Sequence, residues 1–172
     1  EEWLQSDRIR QQTQAISPAP LNLKPWLDEI LADCRVCYAD HPFELRFSSE
    51  FPRVPADESL LRIALLNLID NATKYAPPGT EISIECIGKD DMVGIAVTDR
   101  GPGVPPEHRQ DVFSAYFRGD PHGTAQGLGL GMAFVKKIVD MHRGEIDLQS
   151  EMGKGSRIRI WLPCGDKAQR HE

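Results

Sequence analysis

Two stretches that read as β-hairpins constrain this chain more than any other feature in it. "TEISIECI" (80–87) sets Ile82, Ile84 and Cys86 against Glu81, Ser83 and Glu85, "KDD" turns the chain, and "MVGIAVTD" (92–99) returns it. "GEIDLQS" (144–150) and "SRIRIWLP" (156–163) repeat the arrangement around "EMGKG". Helical periods lie before, between and around these strands. Local strand pairing with inserted helices predicts an α+β fold. We expect a two-layer α/β sandwich, one mixed and mostly antiparallel sheet with helices on one face, in preference to a doubly wound parallel sheet.

The remaining segments can be read in order. Pro25 suits the first turn of a helix to about Ala39, and "FELRFS" (43–48) alternates like a half-buried strand. "EFPRVPAD" reads as a proline-rich loop in which Asp57 caps a helix running to about Tyr75. A short helix is expected around 106–112. Another starts near Gly127–Gly129 and continues through "GMAFVKKIVDMHR", with Gly144 as its stop. "SPAPLNLKP" (17–25) holds three prolines and reads as a linker. Residues 1–20 are thus expected to be the end of a longer helix plus linker, 21–165 the globular domain, and 166–172 a frayed tail.

A net charge of −6 argues against nonspecific nucleic-acid or anionic-membrane binding. No apolar run approaches a membrane span, and "EEWLQSDRIR" is not a signal peptide. Cys34-x-x-Cys37 has no second cysteine pair or histidine pair to complete a metal site. It shares helical spacing with Leu27, Ile30 and Leu31, so both cysteines read as small core residues on a helix face. Reduced thiols and a cytosolic setting follow.

Three stretches carry chemistry. In "LLNLIDNATKYA" (65–76), Asn67, Asp70, Asn71 and Lys74 interrupt an apolar helix within an arc of roughly 100°. Neutral amides suit a hard cation that arrives with phosphate and water oxygens, and Lys74 offers a point charge. A solvated helix face is the plain alternative. In "DRGPGV" (99–104), Asp99 ends an apolar strand and could accept a hydrogen bond from an exocyclic amine such as adenine N6, or simply begin a tight turn. In "GLGLGMAFVKK" (127–137), glycines at a helix start expose N–H groups to phosphate, or serve as a hinge. No GxxxxGK[ST] loop or dinucleotide fingerprint occurs. "GKGS" (153–156) reads as a hairpin turn.

The order of these stretches resembles the N, G1 and G2 boxes of the Bergerat-fold (GHKL) nucleotide-binding family. "NLIDNATKYAPPGT" resembles the N box of bacterial sensor histidine kinases, "VFSAYFRGD" their F box, and "GLGLGMAFVKKIVDMHRGEIDLQSEMGKGSRIRIWLP" their G2 box and closing hairpin. The resemblance covers roughly residues 20–163. It implies a catalytic and ATP-binding domain that uses ATP and Mg²⁺. Asn71, with Asn67 beside it, would hold Mg²⁺, and Lys74 would reach the phosphates. Tyr75 would lie on or near adenine, Asp99 would bind its N6 amine, and Gly101, Gly103 and Val104 would shape that pocket. Residues 114–126 would form a lid, Arg118 would approach the γ-phosphate, and Gly127, Leu128, Gly129 and Leu130 would close over the triphosphate.

Some positions depart from the family pattern. Ala115 stands where an arginine or proline is common, Gly131 where alanine is common, and Arg143 where a glycine is usual. Family hydrolases carry a glutamate at the place of Asn67, which cannot act as a general base. Phosphoryl transfer to a protein histidine is therefore expected over hydrolysis, with a nucleotide-binding regulatory module as the alternative. None of His41, His108, His122, His142 and His171 sits in a phosphoacceptor motif, and His142 reads as a helix-end residue with a capping or surface role. The acceptor would lie on a separate dimerisation domain, and a response regulator receiver domain would follow it. This chain would be monomeric and cytoplasmic, its parent anchored in the bacterial inner membrane.

Overall fold

The computed structural model describes residues 16–48, 53–117 and 129–164. Strands β2 (Phe43–Phe47), β4 (Ile82–Lys89), β5 (Met92–Thr98), β6 (Glu145–Glu151) and β7 (Gly155–Pro163) form one sheet in the order β2-β4-β5-β7-β6. β2 runs parallel to β4, and every other pair is antiparallel. The two hairpins expected from the alternation are β4–β5 and β6–β7. They join through β5 and β7, where Ile95 faces Ile160 and Val97 faces Ile158.

Helices α1 (Leu23–Cys37), α2 (Glu58–Tyr75) and α3 (Gly131–Met141) cover one face of this sheet. Their apolar stripes meet Ile82, Ile84, Val93, Ile95, Val97, Ile158, Ile160 and Leu162 in a single core. Leu27, Ile30, Leu61, Leu65 and Ile69 have no exposed surface. Burying such side chains, at about 1.5–3 kcal/mol each, holds the layers together. Cys34 is buried with them, whereas Cys37, expected in the core as well, is exposed in the last turn of α1. The opposite sheet face carries charge pairs, with Arg157 on Glu85 at 2.7 Å and Arg159 in a fork with Asp147 at 2.9 and 3.0 Å.

Two segments expected to be a linker and a loop pair with each other instead. β1 (Ala19–Leu21) and β3 (Val54–Ala56) form an antiparallel ribbon, with Pro20 opposite Pro55. A ribbon of this kind tolerates proline at positions that donate no ladder hydrogen bond, which is why proline content misled the sequence reading. The short helix of 106–112 is two 3-10 turns, Pro106–His108 and Asp111–Phe113.

At the C-terminus of α3 the left-handed residue is Arg143, at φ 56°, not Gly144. Gly144 is needed for a different reason, because a Cβ there would lie 2.2 Å from the Trp161 carbonyl oxygen. His142 caps the helix as expected but is buried rather than at the surface. Asp57 caps α2 through Oδ1, which accepts from the Leu60 N–H at 3.1 Å. No helix among the described residues is long and apolar enough to cross a membrane.

Candidate functional site

The polar stripe of α2 divides between its two neighbouring helices. Asn67 donates from Nδ2 to the Ile63 carbonyl at 2.8 Å, one turn back. Its Oδ1 faces α3, where a Cβ on Gly131 would sit 2.9 Å away. On the other edge, Lys74 pairs with Asp70 at 2.8 Å, and Tyr38 of α1 donates its hydroxyl to Asp70 at 3.4 Å. Asn71 lies on the Asn67 side of the stripe, half-buried, with no hydrogen bond from its amide to a described residue.

The Asp99 loop abuts the same end of α2. Asp99 is 8% exposed, and its Oδ1 accepts from the N–H of Gly101 at 2.7 Å and of Ser156 at 3.3 Å. Burial pushes its carboxyl above the ordinary value, and the two N–H donors pull it down by less. Oδ2 makes no hydrogen bond to a described residue and so remains available as an acceptor. Gly101 permits contact with α2, since a Cβ there would stand 2.9 Å from the Tyr75 carbonyl oxygen. The Tyr75 side chain is 46% exposed.

Sequence reasoning named Gly103 and Val104 but missed the partners that fix this loop, Ser150, Gly153 and Arg109. Gly103, at φ 78°, fits against the β6–β7 turn, where a Cβ would collide with the Glu151 carbonyl at 2.3 Å. The Val104 N–H donates to Ser150 Oγ at 2.7 Å, and the Gly153 N–H donates to the Pro102 carbonyl at 2.8 Å. Arg109 donates to the Ser150 carbonyl at 2.6 Å. "GKGS" is thus the hairpin turn it was expected to be, and also a clamp on the Asp99 loop. The only hint in the sequence was the small, hydroxylated character of Ser150 and Ser156.

Gly129 and Leu130 lead into α3 beside Asn67. The Gly129 carbonyl accepts from the Tyr116 N–H at 2.9 Å, which brings the two flanks of residues 117–129 together. Leu130 supplies no side-chain cap to α3, leaving its first-turn N–H groups without one. Arg118, Gly127 and Leu128, and most of the expected lid, lie outside the described residues.

The donor set fits a cation brought in by a polyphosphate. Among the described residues no group of three His, Cys, Asp or Glu could hold a metal alone. The Asn71 amide oxygen, without a hydrogen bond among the described residues, suits Mg²⁺ that keeps waters and phosphate oxygens as its remaining ligands. The C-terminal half of α2 also carries the negative end of the helix dipole, so a polyphosphate there needs cations such as Lys74.

A family model described as histidine kinase-, DNA gyrase B- and HSP90-like ATPase matches residues 56–166. The sensor protein SrrB of Staphylococcus aureus is 44% identical over 101 residues, which is 58% of this chain and 17% of that protein. The chain therefore spans about a sixth of the curated relatives it matches. The mycobacterial sensor histidine kinase MprB superposes with a TM-score of 0.74 at 33% identity, covering 86% of this chain and 97% of that one. Full-length ShkA in complex with AMPPNP gives 0.75 at 30% identity, covering 86% of this chain and 31% of that one.

Proposed function

Because this chain belongs to the histidine kinase-, DNA gyrase B- and HSP90-like ATPase family, we propose that it is the ATP-binding kinase domain of a two-component sensor histidine kinase. It would pass the γ-phosphoryl group of ATP to a histidine on a dimerisation domain, for relay to a receiver domain. The contact between Gly101 and the Tyr75 carbonyl carries this reading. It joins a buried carboxylate suited to a purine amine to the helix end that bears Asn71 and Lys74.

Each residue has a role in this reading. Asp99 Oδ2 accepts from adenine N6, with Gly101, Gly103 and Val104 forming the wall and Tyr75 the flank. Asn71 and Asn67 hold Mg²⁺, which when bound neutralises phosphate charge and orients the terminal phosphoryl group. Lys74 would reach the phosphate chain, and the resemblance assigns Arg118 and the N–H groups of 127–130 to it as well. The acceptor imidazole nitrogen attacks the γ-phosphorus, the bond to the bridging oxygen breaks, and ADP leaves. Such transfer asks the domain mainly to position charge and offset it.

Hydrolysis fits less well, because Asn67 is neutral and its Nδ2 is held by Ile63. The parent protein would place this domain on the cytoplasmic side of a membrane. Labelled ATP supplied with a dimeric histidine-containing domain tests the proposal. Acid-labile, alkali-stable phosphate should appear on histidine with the native chain and be lost with Asn71→Ala. Its absence with the native chain would favour a regulatory nucleotide-binding module.

A further inference from the structure

Two groups at the edge of the site have no role in the nucleotide reading: Asp70 and Tyr38. The Asp70 carboxylate is held at both oxygens. Oδ1 accepts from the Tyr38 hydroxyl at 3.4 Å, and Oδ2 takes Lys74 Nζ at 2.8 Å. Tyr38 is delivered by a fixed scaffold, since it caps α1 and its ring meets Phe43 at 6.3 Å. Burial, then Asp70, push its hydroxyl up to about 12, so it stays a donor at any physiological pH.

On the helical wheel Lys74 falls between Asp70 on one side and Asn67 and Asn71 on the other. The ion pair therefore draws Nζ toward α1 and away from the amide edge. Lys74 cannot give its full charge to a phosphate while it also neutralises Asp70. An approaching polyphosphate meets the same carboxylate as a like charge.

We propose that Asp70 is a positioning residue that withholds Lys74 from the phosphate chain, so that a nucleotide must compete with a carboxylate, fixed by Tyr38, for that cation. This rests on the preceding reading of Lys74 as a phosphate contact. The competition concerns only ligands with phosphates, so affinity for the nucleoside is independent of Asp70. The affinity cost is modest, because the pair is partly exposed and screened by solvent.

Calorimetric titration of the whole chain with Mg·ATP and with adenosine tests this. Asp70→Asn and Asp70→Ser should each tighten Mg·ATP by about two-fold and leave adenosine unchanged. The gain should disappear in a Lys74→Met background and shrink as salt is raised. A merely structural role would move both ligands together, along with the unfolding midpoint. The proposal is overturned if Asp70→Asn binds Mg·ATP no more tightly than the native chain, or if the gain survives without Lys74. Native binding with loss of its Mg²⁺-dependent part in Asn71→Ala would show that the nucleotide reading stands even then. A native chain that binds no Mg·ATP overturns both.

Discussion

A carboxylate as enclosed as Asp99 is costly unless its oxygens are occupied, and among the described residues only one of them is. The Gly101 and Ser156 N–H groups favour the ionised form, burial opposes it, and burial wins. The native state therefore holds this proton more tightly than the unfolded chain. Between the ordinary carboxylate value and the raised native one, stability falls as pH rises, and the cost persists at neutral pH. Asparagine would keep an acceptor for both N–H groups while removing the buried charge. We expect Asp99→Asn to raise the unfolding midpoint at neutral pH and to flatten its fall with pH above the ordinary carboxylate value. It should also cut the preference for ATP over GTP by about ten-fold or more, the worth of a charge-assisted hydrogen bond. Thermal melts across pH and competition binding measure both. A midpoint that drops at neutral pH would contradict the assignment of burial as the dominant influence.

Between elements, the joint of α2 and α3 depends on His142. Nε2 accepts from the Asp57 N–H at 2.9 Å, and Nδ1 donates to the Ile138 carbonyl at 2.8 Å, which fixes a neutral tautomer. One buried imidazole thus ties the end of α3 to the cap of α2, while Asn67 and Gly131 meet farther along the same pair of helices. His142→Ala would strand the Asp57 N–H and open a cavity. The expected loss is about 2–4 kcal/mol of unfolding free energy in denaturant titrations. A loss below about 1 kcal/mol would mean that water replaces the ring. Elements of this kind were unevenly legible in the sequence. α2, β4 and β5 could be read because one side of each is apolar at a fixed period. The stripe residues of α2 followed from the same period. The support of Asp99 could not be read, because Val104 meets Ser150 across 46 residues and Ser156 meets Asp99 across 57. Lys74 was expected to face phosphate alone, and its pairing with Asp70 is a rotamer choice that spacing does not decide. Arg143 shows the same limit, since Gly144 was expected to stop the helix and the left-handed residue is the one before it.

At the scale of the whole molecule, the folded body begins well before the family match at residue 56. α1 and β2 precede that point, and so does β1, whose Leu21 enters the core opposite Val54 of β3. Ile16 packs against the same core, and the Ser17 N–H donates to Asp57 Oδ2 at 3.2 Å. The N-terminal ribbon therefore reaches the residue that caps α2, and through His142 it reaches α3. A chain that starts at Leu23 would leave β3 unpaired, expose Val54 and Ala56, and free one oxygen of the Asp57 cap. A chain that starts at Ile16 keeps all of these. The buried surface of Leu21 and Ile16 and the lost hydrogen bonds together predict a difference of about 3–5 kcal/mol between the two truncations. Because Asp57 begins the helix that carries Asn71 and Lys74, the shorter chain should also bind Mg·ATP less tightly at temperatures near its melt. Denaturant unfolding of the two chains side by side measures the difference. Equal midpoints would show that the ribbon is a passive edge and that the domain starts at α1.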